Sequence, residues 1–198
     1  MRRSFCFVHE FNHLHGGALN IGMTHYYFGD GKGKTTTLLG LIIRALGHNL
    51  NPLLIQFLKR HEPNRSKGGF FIGEIHFLKQ FIKIKQFGNG EFVKEKTCKD
   101  QEIIRTAQKG LQYASKAVKS GKYDLVALDE VVNAISMNLI ELEDLIQIIE
   151  QKPDHVEIVC TGMMFYKKLR EVADYVVGYN SIEHPFKKGV MARKGIEY

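Results

Sequence analysis

Cysteine is scarce in this 198-residue chain, and the few present exclude more than they suggest. Cys6, Cys98 and Cys160 are odd in number, far apart and without a C-x-x-C spacing. Neither a disulfide framework nor a cysteine metal site is expected, and a reducing compartment, the cytoplasm, fits. Long apolar runs are missing too: none approaches the roughly 18 residues that would span a bilayer, so no membrane partner is expected. The N-terminus, Met1-Arg2-Arg3-Ser4-Phe5-Cys6-Phe7-Val8, begins as a secretory signal does, but Glu10, Asn12 and His13 interrupt the apolar stretch too early for export. His9, His13 and His15 lie close together without a cysteine or acidic residue at ligand spacing, so no metal is assigned to them. Internal repeats and low-complexity segments are absent.

What is present fits a globular domain with a substantial core: 44% of residues are hydrophobic and 25% charged. The net charge of +7 is unevenly distributed, because the segment from Lys59 to Lys109 holds 12 Lys/Arg against 6 Asp/Glu. Such a segment suits a nucleic acid, a polyanionic small molecule or a solvated helix face. The chain shows no recognisable RNA- or DNA-binding module, which argues against nucleic acid as the partner.

One stretch carries direct chemical meaning. Thr24-His25-Tyr26-Tyr27-Phe28 is β-prone, Gly29-Asp30-Gly31-Lys32-Gly33-Lys34-Thr35-Thr36 follows, and Leu38-Leu39-Gly40-Leu41-Ile42-Ile43 opens a helical pattern. Strand, glycine-rich turn and helix are the context of a phosphate loop. Its glycines let consecutive backbone N–H groups surround phosphate oxygens, helped by the positive end of the helix. Lys34 is then expected on the phosphates and the Thr35 hydroxyl on Mg²⁺. The usual G-x-x-x-x-G-K-T pattern would have glycine at position 28, where this chain has Phe28.

Further along, Pro52 to Leu58 and Tyr123 to Leu128 read as buried strands, Ile82 to Phe87 as an alternating strand, and Asp100 to Lys119 as a long amphipathic helix. Lys59 to Gly73 reads as a loop. Shorter helices are expected around 142–151 and 165–172, with strands at 156–160 and 175–177. Strands alternating with helices give an α/β fold, P-loop NTPase-like (RecA-like), with a mainly parallel sheet and helices on both faces. Leu125-Val126-Ala127-Leu128-Asp129-Glu130 ends in the second acidic site that a phosphate-loop protein needs, where a carboxylate meets Mg²⁺. The competing assignment is an N-cap pair, Asp129 capping and Glu130 in the first helical turn.

Taken together, these pieces resemble the phosphate-loop type of ATP:corrinoid adenosyltransferase, the cob(I)yrinic acid a,c-diamide adenosyltransferase family. The resemblance rests on 29–36 with its extra Lys32, Arg44-Ala45-Leu46-Gly47-His48, Gln56-Phe57-Leu58-Lys59, Gln86-Phe87-Gly88-Asn89-Gly90-Glu91-Phe92-Val93, Leu128-Asp129-Glu130 and Thr161-Gly162. The tail His184-Pro185-Phe186, Lys188-Gly189 and Ala192 to Tyr198 completes it. It covers 23–198, so residues 1–22 are expected to be an N-terminal extension or a misassigned start rather than a lid built on Phe5, Phe7 or Phe11.

The resemblance implies that cobalt(I) of a reduced corrinoid attacks the 5′ carbon of ATP and that triphosphate leaves, a step in cobalamin biosynthesis or salvage. Lys34, Thr35 and Glu130 would be the catalytic residues, with Thr35, Asp129 and Glu130 around Mg²⁺. Gly29 through Thr36 and Arg44 would serve ATP. Phe92 first, and Phe87 second, would face the lower side of the corrin ring. A reductase or flavodoxin-like donor would supply the electron, and a homodimer is left open. Substituting Asp129 or Glu130 is expected to raise the Mg²⁺ requirement with little loss of stability. The rival functions are a P-loop ATPase or small-molecule kinase, and a basic nucleic-acid binder. Three departures from the family pattern bear on substrate choice: Met163 after Thr161-Gly162 where Arg is common, Arg60 where Gly is common, and an unusual loop from Arg60 to Gly73.

Overall fold

A computed structural model describes residues 19–61, 71–88 and 100–197. The strands are β1 (Thr24–Phe28), β2 (Pro52–Phe57), β3 (Lys83–Phe87), β4 (Leu125–Asp129), β5 (Glu157–Thr161) and β6 (Tyr175–Gly178). They form one sheet in the order β3-β2-β4-β5-β1-β6, with every pairing parallel. Among the described residues the helices are α1 (Lys34–Gly47), α2 (Gly73–Leu78), α3 (Gln101–Lys119), α4 (Val131–Ser136), α5 (Leu142–Glu150) and α6 (Lys167–Glu171), followed by a 3₁₀ turn at Pro185–Lys188.

A parallel sheet needs cover on both faces, and the period-2 alternation of the strands shows how it is obtained. Leu53, Ile55 and Phe57 of β2 face α3 to α6, packing with Ala107, Leu111, Ile135 and Ile148. Leu54 points the other way, with Tyr27 and Ala127, onto Leu38, Ile42 and Ala45 of α1 and Leu78 of α2. The continuous apolar run of β2 therefore reflects burial on both sides. The α/β, P-loop-like expectation with helices on both faces is what the chain adopts.

Most element boundaries fall within two residues of those read from the sequence. The long helix starts one residue later because Asp100 is its N-cap, its side chain accepting from the Glu102 N–H at 2.8 Å. Two elements were not foreseen, α2 and α4, each six residues long and too short to show a helical period. At the other end, Gly22 is buried and its N–H donates to the Asp154 carbonyl at 2.6 Å. Among the described residues, no helix is long and apolar enough to cross a membrane.

Candidate functional site

β1, β2, β4 and β5 run parallel, so their C-terminal ends share one edge of the sheet, the edge at which open α/β folds bind ligands. The turn leaving β1 is the glycine loop. Gly29 has φ 111°, a left-handed conformation, and a Cβ there would sit 2.2 Å from the Tyr179 carbonyl oxygen. That same oxygen accepts from the Gly31 N–H at 2.8 Å, so the chain leaving β6 braces the loop. Phe28 is the last strand residue, its ring against those of Tyr26 and Phe165 at 5.4 and 5.0 Å. Position 28 needs no glycine because the left-handed turn begins one residue later.

The Lys34 ammonium folds back over the loop, donating to the Gly29 carbonyl at 2.6 Å and the Gly31 carbonyl at 2.9 Å. Burial pushes its pKa below the usual lysine value, an effect that the Glu130, Asp30 and Asp129 carboxylates oppose. The Asp30 carboxylate accepts from the Ser181 N–H at 3.1 Å, while Lys32 pairs with Glu197 at 3.0 Å. Gly33, the N-cap of α1, has φ 126°, and Thr36 is exposed in the first turn. Arg44 does not join them. It lies exposed in the last turn of α1, ten residues and about 15 Å of helix beyond Lys34.

The acidic site spans the end of β5, which separates β1 from β4. Thr161, at the end of β5, fills the gap. Its hydroxyl donates to Asp129 Oδ1 at 2.8 Å, and the Thr35 hydroxyl reaches the same oxygen at 2.9 Å. The other carboxylate oxygen, Oδ2, accepts from Gln56 at 2.9 Å and from the Lys59 ammonium at 2.8 Å. Lys59 also lies 3.3 Å from Thr35 Oγ1 and 3.6 Å from Glu130 Oε1. Asp129 is completely buried. Burial alone would raise its pKa, but Lys59 and the hydroxyl donors outweigh burial and hold it below the usual carboxylate range. Burial pushes Glu130 up, against the pull of Lys59. For Lys59 burial works against the charge, yet the Asp129 and Glu130 carboxylates win and raise its pKa.

Neither acid caps α4 through its side chain. Glu130 occupies the N-cap position with no side-chain cap bond, and its φ of 63° is left-handed. Its carboxylate instead accepts from the Asn133 amide, and its N–H donates to Thr161 Oγ1 at 2.8 Å. The helix-cap alternative therefore gives way to a polar cluster built around Asp129. That cluster extends sideways: Gln86 donates to Gln56 Oε1 at 2.8 Å, and the His61 N–H donates to Gln86 Oε1 at 3.0 Å. His61 Nδ1 accepts from the Ile72 N–H at 2.9 Å, so both described ends of the 61–72 segment are tied to the acidic site.

Phe87 ends β3 with its ring 6.4 Å from Phe57 and 6.0 Å from Tyr113. Gly110 of α3 makes room for it, since a Cβ there would lie 2.9 Å from both the Phe57 and Phe87 rings. One side of Phe87 also lines a cleft of about 200 Å³ with Leu58, Arg60, Gly88 and Ile103. Phe92 lies outside the described residues. A larger cleft of about 400 Å³ between α3 and α5, along Leu111, Ser115, Ile140 and Asp144, holds none of the predicted site residues. Met163 contributes through its backbone: its N–H donates to Asn133 Oδ1 at 2.6 Å and its carbonyl accepts from the Gly29 N–H at 3.0 Å.

Among the described residues no three His, Cys, Asp or Glu side chains gather as a metal cluster. The oxygens around Lys59 are two carboxylates and a hydroxyl, a hard donor set that suits a cation keeping water and phosphate ligands. Lys59, Gln56 and Thr161 had no role assigned from the sequence. A glutamine within the apolar run Pro52-Leu53-Leu54-Ile55-Gln56-Phe57 was the signal available for them, because a buried strand polar group needs a partner.

Comparison with known proteins agrees with this geometry. The family model of the ATP:corrinoid adenosyltransferase BtuR/CobO/CobP matches residues 20–198. A corrinoid adenosyltransferase of Sinorhizobium is 30% identical over 173 residues, covering 86% of this chain and 77% of the relative. One of Pseudomonas aeruginosa is 29% identical over 178 residues, covering 89% and 84%. The Salmonella typhimurium corrinoid adenosyltransferase CobA is 28% identical over 178 residues, covering 89% and 86%. With a phosphate loop, a second acidic site and a family match that runs from just before β1 to the last residue, this chain belongs to the ATP:corrinoid adenosyltransferase family.

Proposed function

We propose that this protein transfers the 5′-deoxyadenosyl group of ATP to cobalt(I) of a reduced corrinoid and releases triphosphate, as a step in cobalamin biosynthesis or salvage. The observation that carries the proposal is the convergence of Lys34, Thr35 and Asp129 on one cradle at the sheet edge. In the reaction the cobalt electron pair forms the Co–C5′ bond, and the C5′–O bond breaks with its pair remaining on triphosphate. No proton is removed from the nucleophile, so no general base is required. The work left to the protein is to stabilise charge growing on the leaving oxygen. The loop N–H groups and Lys34 supply donors for it, once Lys34 exchanges its carbonyl partners for phosphate.

Thr35, Asp129 and Glu130 would hold Mg²⁺, a reading supported by the Lys59 ammonium lying within reach of an oxygen from each of them. When bound, Mg²⁺ would neutralise charge on the phosphates. The half-buried edge of Phe87 and the residues beyond it, Phe92 included, would meet the corrinoid. The 200 Å³ cleft is smaller than the pockets of drug-sized ligands, so the macrocycle would lie across it rather than within it. A reductase or flavodoxin-like electron donor, a cytoplasmic location and a homodimer complete this reading.

The direct test is incubation with ATP, Mg²⁺ and chemically reduced corrinoid, following the light-sensitive adenosylated spectrum and the nucleotide products. Triphosphate is the expected product; ADP with phosphate would replace this proposal with an ATPase or kinase. Phe92→Ala is expected to slow adenosylation strongly from cobalt(II) with a reductant and only mildly from prereduced cobalt(I), with ATP affinity unchanged. Equal loss from both cobalt states would limit Phe92 to positioning the ring.

A further inference from the structure

We propose that the Lys59 ammonium is a counter-cation competing for the metal position, one that yields it only when metal and nucleotide arrive together. The inference rests on the Mg²⁺·ATP reading above. The three oxygens nearest Lys59 Nζ are Asp129 Oδ2 at 2.8 Å, Thr35 Oγ1 at 3.3 Å and Glu130 Oε1 at 3.6 Å. They belong to the same three side chains that the reaction assigns to the metal. An ammonium and a divalent cation repel each other and cannot share one oxygen cage.

The backbone is committed to this arrangement. Leu58, the residue before Lys59, has φ 59° and donates its N–H to the Phe87 carbonyl at 2.9 Å. A left-handed leucine is uncommon and costs energy, and here it turns the chain at the end of β2 so that the next side chain re-enters the site. Without Lys59, the completely buried Asp129 carboxylate and its neighbour Glu130 would lose the cation that touches them both.

The consequence is a coupling between two ligands carried by one side chain. Metal alone has to expel the ammonium from its carboxylates without offering it another partner. Metal with ATP brings phosphate oxygens for the ammonium to join, so each ligand strengthens the other by the same factor. Lys59 then becomes an additional cation on the departing triphosphate.

The test uses Mn²⁺ as a spectroscopic probe, measured by electron paramagnetic resonance on nucleotide-free protein. Lys59→Met, which keeps the length of the side chain without its charge, is expected to bind Mn²⁺ at least tenfold more tightly than the unmodified chain, and Mn²⁺ is expected to raise its melting temperature. Lys59→Arg, which keeps the charge, should retain the weak Mn²⁺ binding. If Lys59→Met unfolds without metal, Mn²⁺ should restore its circular dichroism in a saturable way. Mn²⁺ affinity of folded Lys59→Met equal to that of the unmodified chain, or no rescue of an unfolded one, overturns the proposal. Adenosylation with triphosphate release by the unmodified protein tests the reaction separately and stands whichever result is obtained.

Discussion

Lys34→Ala is expected to remain folded while binding ATP about 10- to 150-fold more weakly, the fold-change that corresponds to a charge-assisted contact of about 1.5–3 kcal/mol. Turnover should fall further, by another two to three orders of magnitude, because charge accumulates on the triphosphate as the bond breaks. The reason lies in where the side chain spends its hydrogen bonds. Lys34 Nζ donates to the carbonyls of Gly29 and Gly31, and the side chain packs into neither apolar layer. Its loss loosens the empty loop slightly and leaves the core untouched. Calorimetric titration with Mg²⁺·ATP, alongside circular dichroism, checks both halves of the expectation. Undiminished adenosylation by the purified variant would remove the phosphate-loop assignment.

The second large effect separates two adjacent carboxylates. Asp129→Asn is expected to cost about 3 kcal/mol of stability, since breaking a buried ion pair leaves the Lys59 ammonium without its nearest counter-charge. In a domain of this size that lowers the melting temperature by roughly 6–12 °C. Glu130→Gln should move stability by less than about 1 kcal/mol, because Glu130 keeps partial contact with solvent and its amide counterpart can still accept from Asn133. The same variant should raise the Mg²⁺ concentration for half-maximal adenosylation about tenfold, as a charged ligand becomes a neutral one. The sequence led to the expectation that both substitutions spare stability; the ion pair at the completely buried Asp129 separates the two, with the larger cost predicted for Asp129→Asn. Thermal melts and Mg²⁺ titrations of the two variants decide it; if Glu130→Gln leaves the Mg²⁺ dependence unchanged, Glu130 has no part in the metal site.

How much was legible beforehand follows from where each signal is written. The phosphate loop is contiguous, so its strand, glycines, lysine and threonine could be read in register, and the run Leu125 to Leu128 announced a buried strand ending in acid. The sheet order is set by pairings between distant segments, so nothing local revealed that β5 lies between the loop strand and the acid strand. Thr161 therefore looked like half of a family motif, although its hydroxyl donates to the same Asp129 oxygen that Thr35 reaches. Lys59 was hidden for the same reason: its partners Thr35, Asp129 and Glu130 sit 24 to 71 positions away. Arg44, which the family resemblance assigned to ATP, lies in the last turn of α1, a distance along the helix axis that its motif does not reveal.

The left-handed backbone at Glu130 has a consequence for how this protein would change under selection. A glutamate at φ 63° stores on the order of 1 kcal/mol that glycine at the same position would release. Glycine also caps helices acceptably, whereas Glu130 makes no side-chain cap bond. Random variants chosen only for heat resistance should thus converge on Glu130→Gly, gaining thermal tolerance and losing Mg²⁺-dependent turnover. If Glu130 serves the metal as proposed, position 130 is where robustness and activity ask for different residues.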